Sequence, residues 1–165
     1  MGTLKPIFKI HESVVNMDKY NHTLLGAFLF GIGLIAMIDG IVFHQLLQWH
    51  STYMWHPSKF VQIFSDGVLH VIATAFIVLG AVVLWNSNPT ATPAKNITLW
   101  SGLFLGGGVF NLFDGVFSHH ILGIHHVKPG DPHQLTYDLA FDLTAIVMLL
   151  IGWFLYRSAN RAIRS

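Results

Sequence analysis

Asp39-Gly40-Ile41-Val42-Phe43-His44-Gln45-Leu46-Leu47-Gln48-Trp49-His50 closes a long apolar stretch. Its frame returns 75 residues later as Asp114-Gly115-Val116-Phe117-Ser118-His119-His120-Ile121-Leu122-Gly123-Ile124-His125. The shared pattern extends back to Gly31 and Gly33, which fall over Gly106 and Gly108, giving G-x-G-x5-D-G-[IV]-x-x-H-x-[LI]-L-x-x-H. Weaker matches follow each copy: Asp66-x3-His70-x2-Ala73 over Asp138-x3-Asp142-x2-Ala145, and Gly80 over Gly152. Two copies in one chain predict two helical hairpins, residues 22–86 and 97–157, related by a pseudo-two-fold axis along a membrane normal. Glycines are accounted for by close helix approach in lipid. Repeated aspartates and histidines need a further reason.

The surrounding composition places these hairpins in a bilayer. Of 165 residues, 53% are hydrophobic and only 10% charged, against about a quarter charged in ordinary soluble domains. Apolar stretches at 24–49, 60–85, 97–121 and 135–156 each supply roughly the 20 residues that a helix needs to cross the hydrocarbon core. Asn86-Ser87-Asn88-Pro89 and Lys128-Pro129-Gly130-Asp131-Pro132 break the stretches, and His56-Pro57 lies between the first two. The expected fold is therefore all-α, a four-helix transmembrane bundle in one integral-membrane domain spanning 1–165. The first twenty residues read as an interfacial lead-in to the first span.

Basic residues orient the bundle. Lys5, Lys9, Lys19, Lys95, Arg157, Arg161 and Arg164 fall on one side, and only Lys59 and Lys128 on the other. By the positive-inside rule both termini are cytoplasmic. A net charge of +1 gives no field to attract nucleic acid. Absence of cysteine removes disulfides, iron–sulfur clusters and thiolate zinc sites.

Five of the eight acidic residues (Asp39, Asp66, Asp114, Asp138 and Asp142) lie inside apolar stretches. At about 2.5–3.5 kcal/mol each on insertion scales, five uncompensated carboxylates would cost on the order of 12–18 kcal/mol. They need protons, partners or bound cations. Histidine is the available partner: nine of the eleven lie in the outer half or the loops above it. At 1.5 Å rise per residue, His44, Asp66, His119 and Asp138 form a layer roughly 7–9 Å below the outer helix ends, with Asp39, His70, Asp114 and Asp142 roughly 15 Å below. His50, His125 and His133 are expected above them as an outer entry site. His120 and His126 are read as solvent- or headgroup-facing, Gln45, Gln48 and Asn111 as donors that orient the ligands.

One spacing is awkward. Asp39 and His44 stand five apart, about 140° round an ideal helix, as do Asp114 and His119. A π-bulge would bring each pair onto one face.

Imidazole and carboxylate together suit one or two transition-metal ions, with iron, copper or zinc left open. The metal would serve redox chemistry or metal handling, the first making the chain a membrane metal-dependent oxidoreductase. Haem held by His44 and His119, in an electron carrier, is an alternative, as is ion or proton conduction through the same cluster. A purely structural Asp–His network is the plain reading. Beyond the bilayer, a second copy of the chain or a respiratory or metal-handling protein are the partners to consider.

The segment 39–50 resembles a domain-of-unknown-function family of predicted bacterial membrane proteins, whose pattern is D-G-I-x-x-H-Q-x-L-Q-W-H. Overall length and four spans are similar too. The resemblance implies a bacterial inner-membrane location and no established activity.

Overall fold

The computed structural model describes residues 4–92 and 94–164, with side chains from residue 16 to residue 163. Four helices account for most of the chain: α1 Leu4–Asp39, α2 Lys59–Ser87, α3 Lys95–Phe113 and α4 Gln134–Arg164. α1 runs on into a π-helical segment, Gly40–Leu46, and α3 into another, Asp114–Ile121. The lead-in is thus helical and continuous with the first span.

α1 and α3 form the centre, with α2 packed on α1 and α4 on α3. Three stretches are long and apolar enough to cross a membrane: Asn16–Leu46, Lys59–Ser87 and Gln134–Ile163. Among the described residues α3 falls outside that class, although the sequence reads as four spans. Its reason is local: Gly102, Gly106, Gly107 and Gly108 with Thr98, Ser101 and Asn111 are all buried. A helix enclosed by protein needs small residues and satisfied hydroxyls more than lipophilic bulk. Ser101 Oγ accordingly donates to the Gly152 carbonyl at 2.9 Å.

Large side chains point the other way. Phe60, Phe64, Val71, Leu79, Leu143 and Phe154 are exposed on α2 and α4, as suits a surface bathed in acyl chains. The interior is glycine and alanine packed on backbone. A Cβ on Gly31 would overlap the Leu103 carbonyl, and one on Gly106 the Phe28 carbonyl. One on Gly33 would come 2.5 Å from the Ala73 carbonyl oxygen, and one on Gly108 2.8 Å from Leu149 Cγ.

Two residues beyond each π segment stands a residue with positive φ, Gln48 at 51° and Gly123 at 56°. There the chain turns back over the bundle, so Trp49 lies past the helix end at Leu46. The two connections, 47–58 and 122–133, meet across the top. Met54 N donates to the Ile124 carbonyl at 3.2 Å, and Trp55 Nε1 donates to the Gly123 carbonyl.

Candidate metal centre

The π segments answer the spacing problem. Their bonds run five residues back, as in Leu47 N to the Val42 carbonyl (2.9 Å) and Leu122 N to the Phe117 carbonyl (2.8 Å). Each added residue per turn swings the histidine onto the aspartate's face. His44 Nε2 then lies 3.4 Å from Asp39 Oδ2, and His119 Nε2 3.5 Å from Asp114 Oδ2.

The backward turn at Gln48 and Gly123 brings a third ligand type to each pair. Asp39, His44 and His50 form one group, and Asp114, His119 and His125 the other; within each, the ligand-type atoms all lie within 4.8 Å of one another. His50 and His125 therefore sit in the same sites as the span residues, not in a separate entry layer above them. His133, expected beside them, is exposed at the loop surface and belongs to neither group. Its backbone N–H instead donates to Asp131 Oδ1 at 2.8 Å, as the chain turns into α4.

Both groups are adjoining parts of one cluster. The His50 and His125 rings stack at 4.8 Å between centroids, and the His44 and His125 centroids are 6.2 Å apart. All four imidazoles are buried, at 2–6% exposure. Their Nε2 atoms make no well-formed hydrogen bond among the described residues, although those of His44, His119 and His125 lie 3.4–3.5 Å from an Asp39 or Asp114 oxygen. A buried imidazole nitrogen without a partner forfeits roughly 1–3 kcal/mol of desolvation free energy, so four together need an explanation.

Behind the rings, three of the four Nδ1 atoms are engaged, that of His119 having no hydrogen bond among the described residues. His44 Nδ1 lies 2.8 Å from Asp66 Oδ1, His50 Nδ1 2.8 Å from the Val127 carbonyl and His125 Nδ1 3.0 Å from the Thr52 carbonyl. A carbonyl can only accept, so His50 and His125 carry their proton on Nδ1 and turn the Nε2 lone pair inward. Burial first, then the imidazoles of His44 and His125, push His50 down from its ordinary range to about 3. That ring is neutral, the state in which histidine ligates a metal.

Asp66 and Asp138 stand behind this cluster rather than in it. Asp66 Oδ1 also accepts from Thr52 N at 2.7 Å, and Asp138 Oδ1 accepts from Val127 N at 2.9 Å while lying 3.6 Å from His119 Nδ1. Each carboxylate ties a loop to an imidazole. His126, read from the sequence as solvent-facing, bonds Asp138 Oδ2 at 2.8 Å, and His120 bonds Asp142 Oδ2 at 2.7 Å. Those pairings join positions 12 and 22 apart, which no local pattern announces. His70 and Asp142 lie against Gly40 and Gly115, where a Cβ would overlap them. Neither enters a group. Gln45 and Gln48 are exposed. Asn111 is buried with an unpartnered amide oxygen.

The fold and this site define a helical membrane protein that gathers two buried His/Asp groups under crossed loops at one end. The chain belongs to the DUF2243 family, described as predicted membrane protein, which matches residues 26–159. No curated protein and no solved structure matches it.

Proposed function

We propose that this protein binds two transition-metal ions, one at Asp39, His44 and His50 and one at Asp114, His119 and His125. Four buried Nε2 atoms without a well-formed hydrogen bond, two of them converging with a carboxylate in each group, carry this reading. Three protein ligands per ion leave a coordination position open, the arrangement of catalytic rather than purely structural sites. Two histidines with one carboxylate suit iron, and copper(II) or zinc equally by donor type. Asp66 and Asp138 act as the carboxylates that orient ligating imidazoles. Redox chemistry at this open site is the role favoured, with metal handling for a partner protein as its rival.

The proposal includes the architecture. All four helices cross a bacterial inner membrane with both termini cytoplasmic, so that the crossed loops face outward, and the chain is one domain of two hairpins, 22–86 and 97–157. Paired contacts support the repeat. Gly31 meets Leu103 while Gly106 meets Phe28, and each pair is the other displaced by 75 residues. His50 bonds the carbonyl of residue 127 while His125 bonds that of residue 52, again 75 apart.

Two rival readings fare worse. Haem between His44 and His119 would need the space that the stacked rings of His50 and His125 fill. Conduction would need a polar route to the opposite end. There Thr74, Ser101 and Thr144 each donate to a backbone carbonyl within the helices.

Elemental analysis of detergent-purified protein after chelator washing tests the assignment. About two equivalents of one transition metal are expected. A metal-free protein of unchanged fold would leave a structural Asp–His network as the better account.

A further inference from the structure

Residues of α1, α3 and α4 line an apolar cleft of about 340 Å³. Ile38, Ala140 and Met148 give it lipophilic walls, Trp49 and Tyr137 stand at its upper rim, and Asp39 lies on the wall it shares with the first His/Asp group. Asn111 lines it as well. That side chain is only 7% exposed, and its amide oxygen has no partner among the described residues. A buried amide oxygen in a mainly lipophilic cleft, whose other polar wall residues include Asp39 and Thr144, is satisfied by a ligand that brings one donor.

Comparison of the two hairpins isolates the feature. Positions 75 residues from Asn111 and Trp49 hold Ala36 and Ile124, and those 72 from Tyr137 and Thr144 hold Ser65 and Ile72. The hollow over α2, about 370 Å³ and lined by Ser65, Val68, Leu69 and Ile72, does not have Asp114 in its wall. The hollow over α2 has aromatics of its own, Tyr53 and Phe64, but the buried amide occurs only in the cleft that reaches Asp39.

We infer that this cleft binds a bilayer-borne amphiphile, a long apolar body carrying a hydroxyl head that donates to Asn111 beside Asp39. It enters sideways from the lipid, with no passage through water. Its standing as a substrate of the metal centre rests on the function proposed above; binding in the cleft does not.

Photolabelling in phosphatidylethanolamine–phosphatidylglycerol vesicles tests this. The probes are a hexadecanol and a hexadecane, each carrying a diazirine at the same mid-chain carbon. One hydrogen bond of ordinary strength predicts about fivefold more labelling of residues 137–148 by the alcohol than by the alkane. Asn111→Ala should bring the ratio to about one, that bond being gone. Ala140→Trp, at an exposed position on the cleft wall, should abolish cleft labelling without touching the core; it carries the test should Asn111→Ala not fold. Equal labelling by both probes identifies a mere acyl-chain groove and overturns the inference, as does alcohol labelling indifferent to Ala140→Trp. Metal content of the same preparations separates the two readings. Metal-free protein that prefers the alcohol keeps the cleft and sinks the metal centre; metal-replete protein without preference does the reverse.

Discussion

His50 and His125 lie ring on ring, 4.8 Å apart and within 9° of parallel, although each arrives from a different loop. Each is held by a carbonyl of the opposite loop, Val127 for His50 and Thr52 for His125. The two groups are thereby locked side by side, and the loss of one ring is felt by both.

Metal content should follow the groups. His44→Ala and His119→Ala are each expected to remove about one of two equivalents, and together nearly all, since two ligands hold an ion poorly. His56→Ala should change nothing: His56 Nδ1 only accepts a local bond from Ser58 N at 3.1 Å. Elemental analysis of the four proteins reads this directly. Equal content throughout would mean that the wrong histidines have been chosen.

Asp66→Asn and Asp138→Asn keep every proposed ligand but replace the carboxylate behind His44 or His119. Affinity is expected to fall about 10–100-fold in each. Chelator competition, with unfolding midpoints recorded alongside, separates loss of orientation from loss of fold.

Helix approach can be probed through glycine. Gly106→Ala puts a methyl group onto the Phe28 carbonyl, and such overpacking costs about 1–3 kcal/mol. Gly67 has nothing within 4 Å of an added Cβ. Gly67→Ala should therefore stabilise α2 by up to about 1 kcal/mol through helix propensity alone. Thermal unfolding in detergent gives both signs.

Gln48 adopts the left-handed conformation for which the other hairpin uses Gly123. Since a side chain there costs about 1–2 kcal/mol, Gln48→Gly should raise the unfolding midpoint and Gly123→Gln lower it. A stabilised Gly123→Gln protein would contradict this account of the turn.

Orientation is open to a clean labelling test because the chain contains no cysteine. An impermeant maleimide added to intact cells should modify Pro57→Cys, in the first crossed loop, and spare Asn86→Cys at the other end. The opposite pattern would invert the protein in the membrane.

Helices, their breaks and most residues of the two His/Asp groups were legible from composition and from the doubled D-G-x-x-x-H frame, because hydropathy and repetition are written along the chain. The five-residue interval from Asp39 to His44 even carried the π-helix as a geometric demand. What lay beyond reach was the return of the chain after Gln48. Nothing in a glutamine signals positive φ, so His50 read as lying above the site that it joins. His120 is exposed and neither it nor His126 enters a group, as the sequence suggests, but their carboxylate partners come from α4 and only the folded loops bring them together. α3 was ranked with the other spans by its length and its Leu, Phe and Val residues, whereas its glycines and buried polar residues mark it as a helix enclosed by its neighbours.

The crossing of the loops has a consequence for assembly. One hairpin contains every donor of its group, yet the peptide oxygen that steadies its outermost imidazole belongs to the other. Cutting the 88–94 linker would yield two fragments, each with a complete but unsteady set of donors. Capture of the ion by the mixture would then report that the halves had found one another.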